Sequence, residues 1–210
     1  NGWPSGFAGM KLLEDPANFA HYLTCEEKPA FDPEALACYR LAAGHIVRIF
    51  KDDGKACYCL YDRTNSSVVD ILNPDVVHKF IRETHEKYYE RFKDQFGRVL
   101  MGFFTDEPQY FRYQTAYSPV MLKAYRERYG EDLLKELGAL FMDCDESDRL
   151  RYRYWKLMNE LYTESFAGQI FRWCEKHNCM MTGHSIEESS LFGQMMCCAG
   201  VMPFYQYEHI

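Results

Sequence analysis

Two short apolar runs constrain the fold more than anything else in the chain. The first, Val99–Phe104 (VLMGFF), is apolar at five of six positions and stops at Asp106-Glu107-Pro108; the second, CMMTGH, ends at His184 and is followed by Glu187 and Glu188. Each comes after a long stretch with helical spacing. Runs this apolar suit strands covered on both faces, and alternation of helices with such strands predicts a parallel α/β sheet. In that architecture polar residues at the C-terminal ends of strands are where sites are built.

The helical stretches carry their own punctuation. Asn73-Pro74-Asp75 opens a helix whose apolar residues Val76, Val77, Phe80, Tyr88 and Phe92 share helical spacing, and Gly97 closes it. His78 and His85 stand seven apart on this charged helix and read as surface residues. Two further helical regions are predicted, 118–143 with a break at Gly130, and 145–177 with Asp145 as N-cap and Asp148 in the position of a capping-box acid. Near the start, Asp15-Pro16 predicts a short helix through Leu23. Between Leu36 and Tyr61 three β-like runs, LACYRLA, HIVRIF and ACYCLYD, with Asp53-Gly54 before the third, predict a small antiparallel meander.

Composition narrows the partners. With 24 basic against 31 acidic residues and a net charge of −7, neither nucleic acid nor an anionic membrane is expected. No apolar run approaches the roughly 20 residues of a membrane-spanning helix. Aromatics make up 16 % of the chain, which fits core packing first and sugar stacking second. The nine cysteines are odd in number and lack zinc-finger spacing, so they read as reduced, mostly buried thiols and favour a cytoplasmic setting. On a strand, Cys57 and Cys59 would share a face. Asn65-Ser66-Ser67 has the form of a glycosylation acceptor.

The strand ends carry the chemistry. Pro108 lacks an N–H and ends the first run, leaving Asp106 and Glu107 at the mouth of the sheet. One of these acids can serve as a general acid if Phe103, Phe104 and Tyr110 wall it off from water; alternatively Asp106 caps the following turn and Glu107 is solvated. In the second run His184 can bind a sugar hydroxyl or orient a carboxylate, with Glu187 or Glu188 as its partner. Neighbouring parallel strands would set the two acidic groups side by side, the arrangement glycoside hydrolysis uses. No P-loop, GxSxG elbow, HExxH helix or EF-hand loop is present.

Taken together and in this order, GWPSGFAG, VDILNPDVVHKFIRETHEKYYERF, GFFTDEPQY and TGHSIEE resemble the α-L-rhamnosidase-like group of bacterial glycoside hydrolases. The resemblance implies an α/β fold of the (β/α)₈ TIM-barrel type and an enzyme acting on a carbohydrate substrate. It implies that Glu107 protonates the leaving oxygen and that Glu188 or Glu187 activates water or attacks the sugar. Asp106, His184, Tyr110 and Trp3 would line the subsite, with Trp3 as a stacking platform. Rhamnosidases of the group carry a different acidic motif at the strand matching FFTDEP and are associated with Ca²⁺; no metal ligands or other cofactor are expected from the residues themselves. A complete barrel takes about 250 residues, so residues 1–210 are expected to be an internal piece, roughly strands three to six, with a β-meander insertion at about 35–62. Two other readings are a carbohydrate-binding or degenerate barrel without turnover, and an unrelated α/β enzyme holding a metal on Asp106, Glu107 and His184.

Overall fold

The computed structural model describes residues 7–106, 108, 110 and 115–184. In chain order these form α1 (Phe7–Leu12), a 3₁₀ turn (Pro16–Asn18), β1 (Phe19–Lys28), β2 (Ala37–Ala42), β3 (His45–Ile49) and β4 (Cys57–Val69). Then come α2 (Pro74–Ile81), a π-helical turn (Arg82–Glu86), α3 (Lys87–Phe92), a 3₁₀ turn (Lys93–Gln95), β5 (Gly102–Asp106) and β6 (Thr115–Tyr117). Helix α4 (Val120–Tyr129), two 3₁₀ turns (Leu133–Lys135 and Leu137–Leu140), α5 (Ser147–Tyr162), a second π-helical turn (Thr163–Gly168), α6 (Gln169–Lys176) and β7 (Met180–His184) complete them. The chain divides into a first unit, residues 1–20, 65–112 and 159–210, and a second unit, residues 21–64 and 113–158.

The second unit is built on a five-stranded antiparallel sheet in the order β3-β2-β4-β1-β6. The first unit contributes one parallel pair, β5 with β7. This overturns the expected (β/α)₈ barrel: the described residues form two separate sheets, and the larger is not parallel. The reason lies in strands that apolar periodicity does not reveal. Asp15 does cap a turn, accepting the Ala17 N–H at 3.0 Å, but the helix predicted through Leu23 is a single 3₁₀ turn followed by β1. Strand β1 pairs with β6, His21 opposite Tyr117 and Leu23 opposite Thr115, a partner almost a hundred residues away that local spacing cannot announce.

The expected meander is also rearranged. Strands β2 and β3 form a hairpin through Ala43 and Gly44, both with positive φ (51° and 86°) as a tight primed turn requires. Asp53-Gly54 instead joins β3 to β4, which are not neighbours, because β4 pairs with β2.

Helix punctuation follows the sequence more closely. Asn73 Oδ1 accepts the Asp75 N–H at 3.0 Å and starts α2. Gly97 turns the chain at φ 71°; a Cβ there would lie 2.1 Å from the Asn178 side chain, so no larger residue fits. Gly130 ends α4 in the left-handed region. Asp145 is not the cap of α5. Ser147 ties down that start, its Oγ accepting the Cys144 N–H at 2.9 Å and donating to the Met142 carbonyl at 2.8 Å.

Many of the aromatics are core. In the second unit Tyr39, Tyr117, Tyr125 and Tyr154 are fully buried beside Leu60, Met121 and Leu133. Buried hydroxyls need partners: Tyr39 donates to the Leu134 carbonyl at 2.7 Å and Tyr154 to the Ala116 carbonyl at 2.5 Å. In the first unit Ile71, Leu72, Tyr162 and Phe166 play the same part, with Ser165 donating to the Leu72 carbonyl at 2.9 Å. Among the described residues no helix is long and apolar enough to cross a membrane.

Candidate functional site at the β5–β7 strand ends

Strands β5 and β7 run parallel in register from Gly102–Met180 to Asp106–His184. Asp106 and His184 are therefore directly opposed at the C-terminal ends of adjacent strands. Close approach here depends on Gly183, which lies opposite Thr105 at φ 153°; a Cβ would come within 2.0 Å of the Thr105 carbonyl oxygen.

Alternation along β5 sorts its side chains by face. Phe104 and Asp106 share the exposed face, while Thr105 is buried on the other, which it shares with Phe103. The aromatic wall expected around the acids is thus split, since Phe103 and Phe104 point to opposite sides. Tyr110 lies against Tyr162, with ring centroids 5.2 Å apart. Glu107, Glu187, Glu188 and Trp3, expected as catalytic acids and stacking platform, lie outside the described residues.

Behind β5 the structure holds a buried histidine that sequence patterning misplaced. His85 is 4 % exposed, not on the surface, whereas His78 is exposed as expected. Its ring packs against Phe103 at 4.3 Å, Trp173 at 5.1 Å and Phe80 at 5.6 Å. The signal was present in the helix: Val77, Ile81, His85 and Tyr88 follow each other at intervals of three or four, so His85 lies on the apolar stripe.

The hydrogen bonds around His85 fix its tautomer. The Thr84 hydroxyl donates to the Phe80 carbonyl at 2.8 Å, which uses its only proton. Its contact with His85 Nδ1 at 2.7 Å must then be donated by the ring. Nδ1 carries the proton and Nε2 presents a bare lone pair. Burial, with a smaller contribution from His177, pushes the His85 pKa down to about 3, so the ring is neutral. Nε2 and the Thr105 hydroxyl oxygen are buried without a hydrogen-bond partner among the described residues. Both belong to residues lining a cavity of about 30 Å³, bounded also by Phe80, Thr84, Tyr88 and Met181, enough room for one or two water-sized groups.

No family model matches the chain, and no curated protein matches it. Among solved structures, the rhamnosidase from Novosphingobium sp. PP1Y is similar at 16 % identity and a TM-score of 0.48, over 63 % of this chain and 14 % of that one. The chain thus matches only a small part of that enzyme's length.

Proposed function

We propose that this chain contributes strand-end carboxylates to the hydrolysis of a glycosidic bond. The observation that carries the reading is the in-register parallel pairing of β5 with β7, which opposes Asp106 to His184. Glu107 directly follows Asp106 in the sequence, and Glu187 and Glu188 come three and four residues after His184, the residues at which the two paired strands end. In this proposal Glu107 protonates the leaving-group oxygen. Glu187 or Glu188 is the second carboxylate, and Asp106 and His184 hold sugar hydroxyls. The exposed Phe104, on the Asp106 face, offers a ring for stacking against a sugar. Two carboxylates about 5 Å apart would retain anomeric configuration, and about 6.5–9.5 Å would invert it.

The test is hydrolysis of a panel of aryl glycosides by the protein carrying this chain, with Glu107→Gln and Asp106→Asn alongside. The proposal expects Glu107→Gln to lose about 10²–10⁴-fold in kcat, the range of a general acid. It expects Asp106→Asn to act mainly on KM. Activity that survives Glu107→Gln would sink the assignment. A panel without turnover, but with saturable sugar binding, would favour the carbohydrate-binding alternative.

A further inference from the structure

Strand pairing in the second unit brings three cysteines to one point. Cys38 of β2 lies directly opposite Cys59 of β4, and Cys57, two residues before Cys59, shares its face. All three are buried, at 1 %, 2 % and 0 % exposure for Cys38, Cys57 and Cys59. Their sulfurs all lie within 4.8 Å of one another, with Cys38–Cys59 at 2.9 Å and Cys57–Cys59 at 3.7 Å. All three are free thiols.

Core packing alone does not call for this cluster. Three valines or leucines at these positions would bury more apolar surface than three thiols do. What the thiols add is a convergent set of soft donors. We propose that Cys38, Cys57 and Cys59 form a binding site for a thiophilic d¹⁰ cation of the Zn²⁺, Cd²⁺ or Cu⁺ class, held by three thiolates.

Geometry, charge and surroundings support this. Zinc–sulfur bonds of about 2.3 Å put neighbouring sulfurs about 3.8 Å apart. The Cys57–Cys59 separation already matches, and the Cys38–Cys59 separation opens by about an ångström on binding. A trithiolate leaves excess negative charge, and cations stand nearby: Lys28 lies 5.6 Å and Arg63 4.5 Å from the ring centroid of Tyr61, which is part of the same buried cluster. The acids of this neighbourhood are already engaged. Glu26 pairs with Lys28 and Arg63, and Asp32 accepts the Tyr61 hydroxyl at 2.5 Å. Phe31, Ala35 and Ile49 close over the cluster and keep hard, oxygen-preferring ions at a disadvantage. Thiolate coordination releases protons on binding. This inference is independent of the glycosidase reading.

The test uses the full chain, reduced and freed of metal, titrated with Cd²⁺ while its sulfur-to-metal charge-transfer absorption in the ultraviolet is followed. The expected result is saturation at one equivalent, displacement by Zn²⁺, and loss of the band in Cys59→Ser but not in Cys144→Ser. A measurement that needs no variant runs alongside. Alkylation mapped by mass spectrometry should find Cys38, Cys57 and Cys59 protected by Cd²⁺ while Cys144 stays reactive. Absence of the band, a band that survives Cys59→Ser, or equal protection of every cysteine would overturn the proposal. So would a Cys38–Cys59 disulfide in protein isolated without reductant.

Discussion

His45 and His85 are the same side chain put to opposite uses by the two units. His45, the first residue of β3 in the second unit, is half exposed and lies between two acids, 2.9 Å from Glu146 Oε1 and 3.5 Å from Asp145 Oδ2. The hydrogen bond to Glu146 raises its pKa. Burial alone would push the Glu146 carboxyl up, but His45 and the Ile46 N–H, at 3.1 Å, hold it down at about 2. His85, in the first unit, has aromatic walls and, among the described residues, no acid partner, and its pKa falls. Water access and a charged neighbour, rather than residue type, decide the direction.

The signs of their contributions to stability differ accordingly. The lowered pKa of His85 means that the unfolded chain takes up the proton first. Its contribution is complete above about pH 6.5 and is lost as pH falls towards about 3. The raised pKa of His45 means the reverse: its contribution is complete below about pH 6.5 and is lost as pH rises through the folded value.

The largest way to break this contrast is to remove a wall. Trp173 is 8 % exposed, packs on His85 and donates to Glu86 at 2.6 Å. Trp173→Ala should cost about 3–5 kcal/mol by urea denaturation and move the His85 pKa, followed by NMR, back up. A ring that still titrates near 3 would show that Trp173 is not what excludes water. Next, Gly183→Ala forces a side chain into the Thr105 carbonyl and should cost about 1–3 kcal/mol or more. The matched change at Gly54, where a Cβ meets nothing but φ is +71°, should cost about 1–2 kcal/mol from backbone strain alone.

Third, His85→Phe should flatten the acid side of the stability curve. Wild type should lose about 1.4 kcal/mol per pH unit more than the variant between pH 6.5 and 3; parallel curves would mean that His85 titrates as an exposed group. The smallest effect should come from Glu146→Gln. It should return the His45 pKa towards its ordinary value in an NMR titration, with little change in melting temperature because the pair is solvated.

Local features of the chain were legible where one residue suffices. Asn73 and Asp15 as caps and Gly97 and Gly130 as stops are present, because each acts within a few residues of its own backbone. The apolar runs around Phe103 and Met181 are strands, and they pair in parallel. Legibility failed where the partner is distant. The strand Phe19–Lys28 looked helical through Leu23, after the Asp15 cap, because its stabilising neighbour, Thr115–Tyr117, is remote. His85 looked exposed because the charged residues around it dominate a linear reading, while its apolar stripe emerges only on the wound helix.

By itself, then, the sequence determined where chain segments begin and end, through capping side chains, glycines at positive φ and apolar runs, all of which act over a few residues. Only the tertiary structure decided which segments pair, and with that the antiparallel five-stranded sheet, the convergence of Cys38 on Cys57 and Cys59, and the opposition of Asp106 to His184. Pairing is settled by burial and hydrogen bonding summed over whole strands, and no short window of residues contains that sum.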